Sequence, residues 1–85
     1  MDMNLEGKNI LIRTVTNFYT GHVVEETKKW LRLETAAWIA DTGRFADALA
    51  KSIFDEVEPY PNPVLVMKAA IVDITEIGNL PDKQK

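Results

Sequence analysis

The chain has 85 residues and no cysteine, so it is the size of one small domain and has neither disulfides nor thiolate-bound metals. Its formal net charge of −3 argues against a general electrostatic attraction to nucleic acid. No stretch is long and apolar enough to span a membrane, and no signal-peptide pattern opens the chain. We therefore expect a cytoplasmic protein that does not contact a membrane.

The charge is unevenly distributed along the chain. Residues 1–33 carry five basic and four acidic side chains, whereas residues 34–85 carry five basic and nine acidic ones. Any nucleic-acid site must therefore be local and focused, and not a broad basic face.

Three strands are predicted in the first half of the chain. Residues 10–16 are rich in β-branched side chains, residues 17–22 ("NFYTGH") indicate a turn, and residues 21–26 resume as strand. Residues 30–39 are the third strand. In that strand Leu31 and Leu33 share one face, so alternation places Trp30 away from the core.

One helix and two strands are predicted in the second half. Asp41 and Thr42 are candidate helix caps, and the apolar stripe of the helix consists of Phe45, Ala48, Leu49 and Phe54. The proline-rich "EPYPNP" is expected to be an extended loop. The last strands are residues 64–67 and 70–77.

Together these elements predict a single, mostly β domain. We expect a small, strongly bent, five-stranded antiparallel barrel with a short helical insertion between strands 3 and 4. The core is residues 9–77, residues 41–63 are the helical and proline-rich insertion, and residues 1–8 and 78–85 are flexible ends.

The order of these elements resembles the Sm/LSm/Hfq family, which has an SH3-like barrel. The segment "NILIRTVTNFYTGHVVEETKKWLRLETAAWIAD" follows the first family motif, with Gly21 and Val23 at its Gly-x-hydrophobic step, and "VLVMKAAIVDI" is similar to the second. Within the family, the chain looks similar to compact Sm-like proteins of phage and marine metagenomic sequences. The chain departs from the family in two places. Residues 27–31 replace Asp-x-x-Met-Asn, and Ala69 replaces the signature glycine.

The resemblance implies a ring of identical subunits that binds single-stranded RNA, or DNA, without catalysis. In the family, the loop before the third strand and the turn before the last strand converge at the pore. Lys28, Lys29 and Trp30 occupy the first of these positions and Lys68 the second. Stacking on Trp30 and neutralisation of phosphates by the lysines would hold the strand.

A plainer interpretation of the same residues stays open. Trp30 could pack against a neighbouring subunit, and the lysines could simply keep the hairpin tip soluble. The chain would then be a structural or protein-interaction barrel, for instance in a phage particle. Its acidic second half, proline loop and central helix would make the contacts.

No catalytic centre, metal site or cofactor is expected. His22 is the only histidine, and neither it nor Ser52 has partners at the spacing of a nucleophilic triad. The acidic residues Asp55, Glu56 and Glu58 could bind a divalent cation, although a solvated acidic loop is the simpler interpretation.

Overall fold

The computed structural model describes residues 4–85. They form six strands, one α-helix and one 3-10 helix. In chain order these are β1 (Asn9–Thr14), β2 (Phe18–Glu26), β3 (Trp30–Asp41), α1 (Phe45–Lys51), β4 (Glu56–Pro59), β5 (Val64–Met67), the 3-10 helix Lys68–Ala70, and β6 (Ile71–Glu76). Within residues 4–85, no helix has the length and apolar character needed to cross a membrane.

The strands make one antiparallel sheet in the order β4-β3-β2-β1-β6, with β5 also paired to β3. The 12-residue β3 pairs with two further strands along its length. Residues 30–33 pair with β5, and residues 37–41 pair with β4. Thr35 lies between these two halves with a positive φ of 50°, so the strand bends there. The mostly β, antiparallel prediction is confirmed. The sheet itself is open, because β5 and β6 are not paired with each other.

Two hydrophobic cores lie on opposite faces of the sheet. Alternation along β1 supplies both, since Ile10 and Ile12 enter one core and Leu11 enters the other. Core 1, on the inner face, contains Leu5, Ile10, Ile12, Val23, Leu31, Leu33, Ala36 and Val66. Core 2 lies beneath α1 and contains Leu11, Ala37, Ile39, Ala48, Phe54, Val57 and Ile77.

The predicted alternation at the start of β3 is confirmed. Leu31 and Leu33 are 0% exposed, whereas Trp30 is partly exposed and Arg32 is exposed. The first half of β3 therefore has one face in core 1 and one face open to solvent. We call the second the outer face.

The predicted turn at residues 17–22 is wrong, because the chain turns earlier. The Thr14 N–H donates to the Asn17 carbonyl (2.8 Å), and the Asn17 N–H donates to the Thr14 hydroxyl (3.0 Å). These bonds close a tight turn. Phe18 and Tyr19, whose aromatic side chains suit a pleated sheet, consequently belong to β2.

The predicted caps and the proline loop also need correction. The helix begins at Phe45 after Arg44, while Asp41 accepts a hydrogen bond from the Gly43 N–H (2.8 Å) and so stabilises the preceding turn. Residues 56–59 form β4, a strand that the sequence does not predict, so the sheet has six strands and not five. Pro59 is tolerated because β4 is the edge strand next to β3, and alternation from Val57 places the missing N–H of Pro59 on the side away from β3.

Both terminal segments that the sequence predicts to be flexible contact the sheet. Leu5 is 5% exposed, and the Gly7 N–H donates to the Val23 carbonyl (2.8 Å). At the other end, Lys85 exchanges two backbone hydrogen bonds with Val57, at 2.8 and 2.9 Å. Residues 1–3 of the predicted N-terminal end lie outside the described residues.

Candidate nucleic-acid interface

The loop between β2 and β3, residues 27–29, is a tight turn organised by one threonine. The Thr27 hydroxyl accepts hydrogen bonds from the backbone N–H groups of Lys29 (3.2 Å) and Trp30 (3.1 Å). The Thr27 N–H donates to the Trp30 carbonyl at 2.9 Å. Threonine hydroxyls commonly hold turns in this way. The backbone of the tip is therefore ordered by local bonds.

The side chains of Lys28 and Lys29 are exposed at this tip. Within residues 4–85, neither lysine forms an ion pair with a carboxylate. A lysine ammonium that no carboxylate neutralises keeps its full charge for an anionic ligand. The two lysines are thus the most accessible positive charges among the predicted site residues.

Trp30 lies on the outer face directly after the lysines, and Arg32 follows on the same face. The Arg32 guanidinium carbon is 5.7 Å from the centroid of the Trp30 ring, which is within the range of a cation–π contact. Arg32 is a candidate that was not singled out from the sequence. The signal for it was the two-residue alternation along β3.

Lys68 approaches the tip from β5. Its backbone N–H donates to the Lys29 carbonyl at 2.8 Å, so the structure brings the two predicted loops together. Its ammonium, however, is bound to the Glu26 carboxylate at 2.7 Å. Glu26 lies opposite Leu31, which belongs to core 1, so this ion pair and Trp30 lie on different faces of the sheet.

The Glu26 carboxylate has two partners, because its other oxygen accepts a hydrogen bond from the Leu5 N–H at 2.8 Å. The hydrogen bond from Lys68 lowers the pKa of Glu26 below its ordinary value of 4.5, the Leu5 bond lowers it further, and burial opposes both. Glu26 is consequently ionised at neutral pH and neutralises Lys68.

The charge balance at this end of the sheet is positive. Four cations, Lys28, Lys29, Arg32 and Lys68, stand against three carboxylates, Glu25, Glu26 and Glu6, the last of which accepts a hydrogen bond from the Glu26 N–H at 3.0 Å. The chain as a whole carries −3. The tip is therefore a local positive site with an aromatic ring beside it, which is the combination that holds single strands.

A groove of about 460 Å³ runs beside β5 and was not anticipated from the sequence. Its lining residues are uncharged: Thr14, Val15, Thr16, Asn17, Tyr19, Tyr60, Val64, Leu65, Val66, Met67 and Ala70. The rings of two lining residues, Tyr19 and Tyr60, lie 6.4 Å apart. Burial raises the pKa of Tyr60, and the neighbouring Tyr19 raises it further. Tyr60 comes from the proline-rich segment, so sequence alone gave no reason to place it beside Tyr19.

His22 is engaged in a structural hydrogen-bond chain. Its Nδ1 lies 2.8 Å from the Asn9 side-chain oxygen, and the Asn9 amide donates to the Gly78 carbonyl at 2.8 Å. Across the described part of the chain, no three histidine, aspartate or glutamate side chains are grouped as metal ligands would be.

Comparison of the chain with models of protein families, with curated proteins and with solved structures found no match. The resemblance to the Sm/LSm/Hfq family therefore stays a prediction.

Proposed function

We propose that this chain binds single-stranded RNA, or single-stranded DNA, without catalysing a reaction, at the tip formed by Lys28, Lys29 and Trp30. The observation that carries the proposal is the pair of exposed lysines, free of carboxylate partners within residues 4–85, directly beside a partly exposed tryptophan. Lysine ammonium groups neutralise phosphates, and a tryptophan ring stacks on an unpaired base.

The ordered turn supports this proposal. Because the Thr27 hydroxyl already fixes the backbone of Lys29 and Trp30, binding a strand costs less conformational entropy than it would on a mobile loop. Stacking contributes about 1–3 kcal/mol per base in other single-strand binding proteins. One tip would therefore bind weakly, and several tips acting together would bind well.

A ring of identical subunits would supply several tips, and the open sheet is compatible with one. Within residues 4–85, β5 pairs only with β3 and β6 only with β1, so each of these strands has one edge that no other strand covers. In the proposed assembly, β5 of one subunit pairs with β6 of the next, which joins the sheets around the ring and leaves neither of these edges exposed. The role of the ring would be to handle RNA or other single-stranded nucleic acid.

Fluorescence anisotropy of labelled oligo(U) and oligo(A) tests the proposal at low and moderate salt. The double variant Lys28→Gln/Lys29→Gln removes two positive charges at the tip. The matched control, Lys51→Gln/Lys83→Gln, removes two exposed charges elsewhere. We expect salt-sensitive binding by the wild type and the control, and a loss of at least tenfold in the tip variant. Equal binding by both variants would overturn the proposed site.

The uncharged groove beside β5 favours a second candidate, a protein-interaction module. Leu65 is 48% and Met67 46% exposed, and both line the groove together with Tyr19 and Tyr60. An extended segment of another protein could add to that edge as a strand. This function predicts no oligonucleotide binding at any salt, so the same titration separates the two.

A further inference from the structure

The outer face of the sheet next to the tip carries more than Trp30. Residues 30–33 of β3 pair with β5 in a register that sets Met67 opposite Trp30 and Leu65 opposite Arg32. Directly opposite residues share a face, so these four side chains form two adjacent pairs on the outer face. We call them the outer-face platform.

We propose that Arg32 is a nucleic-acid-binding residue and that the outer-face platform holds one base and one phosphate of a single strand. The inference rests on the proposed function and extends its site from the tip onto the sheet. The base stacks on Trp30 with Met67 beside it, and the Arg32 guanidinium binds the neighbouring phosphate.

The position of Arg32 supports this role. Its guanidinium lies over the Trp30 ring, with 5.7 Å between the guanidinium carbon and the ring centroid. A base that stacks on that face of the ring takes the place of the guanidinium. The displaced planar, five-donor cation is then close to the backbone of the strand, where it is well suited to bind a phosphate. Lys28 and Lys29, which precede Trp30 at the tip, add two positive charges on the other side of Trp30 from Arg32 along the chain.

The ion pair that Arg32 makes is loose. Its Nε lies 3.4 Å from a Glu25 carboxylate oxygen, and both side chains are 48% exposed. Exposed pairs of this kind contribute little, and they yield readily to another anion. The contact uses Nε, so the two terminal nitrogens of the guanidinium stay available for a phosphate.

Lys68 differs from Arg32 in each of these respects. Its ammonium is 2.7 Å from Glu26, whose side chain is only 14% exposed and is held on its other oxygen by the Leu5 N–H. A phosphate would have to displace a carboxylate that is fixed at both oxygens. We therefore assign Lys68 a positioning role, in which it ties the 3-10 helix to β2, and assign phosphate contact to Arg32.

Salt-dependent titration with oligo(U) tests this assignment. For single strands, the slope of log affinity against log salt concentration changes by about 0.7 for each phosphate contact. We expect Arg32→Gln to reduce the slope by about that amount and Lys68→Gln to leave it unchanged. Glu25→Gln, which releases Arg32, should leave the slope as steep or steeper and bind oligo(U) more tightly. Arg32→Lys should restore the slope because it restores the charge.

The outcomes separate this inference from the proposed function. Binding by the wild type with an unchanged slope in Arg32→Gln, or with the slope loss in Lys68→Gln instead, would overturn the inference and leave the proposed function standing. No binding by the wild type, even at low salt, would overturn both. Far-UV circular dichroism of each variant shows that it is folded, which the half-exposed side chain of Arg32 leads us to expect.

Discussion

At the hairpin tip, the Glu26 carboxylate determines which lysine is available to a ligand. It binds the Lys68 ammonium at 2.7 Å, whereas Lys28 and Lys29 have no carboxylate partner within residues 4–85. The three lysines that the sequence analysis treats alike therefore have different surroundings in the folded chain. Two belong to the proposed site, and one stabilises the turn after β5.

Replacing Lys68 by Met should lower the free energy of unfolding by about 1 kcal/mol, because the largely shielded Glu26 carboxylate loses its only cationic partner within residues 4–85 and keeps only the Leu5 N–H. Urea unfolding at neutral pH measures the difference. The folded-state pKa of Glu26 is lowered, so its stabilisation is fully present above the ordinary value of 4.5 and is lost as the pH falls through the folded-state pKa. The difference between wild type and variant should therefore shrink in acid. A difference independent of pH would contradict the role given to Glu26.

Thr20 provides a second test at the residue scale. Its side chain is 0% exposed, and its hydroxyl has no hydrogen-bond partner within the residues that the structure describes. Thr20→Val keeps the shape and removes an unsatisfied polar group, so we expect a gain of about 1 kcal/mol in the free energy of unfolding. The exposed Thr75→Val is the control and should change stability little. Destabilisation by Thr20→Val would show that the hydroxyl has a partner in solution.

Among the elements, β2 and β3 fit together closely at one glycine. A Cβ atom added at Gly21 would lie 2.9 Å from Cβ of Leu33, which is buried in core 1 and cannot move freely. The register between β2 and β3 shifts at the same point, between Thr20 and His22. The Gly-x-hydrophobic step of the sequence thus has a steric cause.

Gly21→Ala should therefore destabilise the fold by about 1–3 kcal/mol through overpacking. Gly78→Ala is the matched control, because a Cβ there would meet nothing within 4 Å. Thermal unfolding followed by circular dichroism compares the two. Equal midpoint temperatures for the two variants would contradict the claim that close packing of β2 against β3 requires glycine at position 21.

Local patterns predicted the elements well where each strand follows its own alternation. The buried Leu31 and Leu33 and the strand Val64–Met67 needed no long-range information. β4 could not be predicted, because residues 56–59 become a strand only by pairing with β3 on one side and Lys85 on the other. The role of Glu26 was equally hidden, since Lys68 lies 42 residues further along the chain.

On the scale of the whole molecule, β5 and β6 each have one edge that no other strand of residues 4–85 covers. A small domain buries little surface by itself, and an exposed strand edge is a site for pairing with another chain. The Lys68 N–H donates to the carbonyl of Lys29, the residue before β3, so alternation along β5 directs the N–H groups of Leu65 and Met67 away from β3 and toward the free edge of β5.

Light scattering coupled to size-exclusion chromatography should therefore give a mass several times the 9.6 kDa of one chain. Leu65→Pro removes an outward N–H that the β3–β5 ladder does not use, so we expect it to dissociate the assembly while the subunit stays folded. A monomeric wild type at micromolar concentration would contradict the proposed ring.

Tryptophan fluorescence during titration with oligo(U) tests the central claim most directly, because the chain has two tryptophans that can be observed separately. In Trp38→Phe the signal comes from Trp30 at the tip, and in Trp30→Phe it comes from Trp38 in the other half of β3. We predict saturable quenching in the first variant that weakens as salt is raised, and no quenching in the second. No change in the Trp30 signal at low salt, or equal changes in both, would contradict a stacking site at the tip.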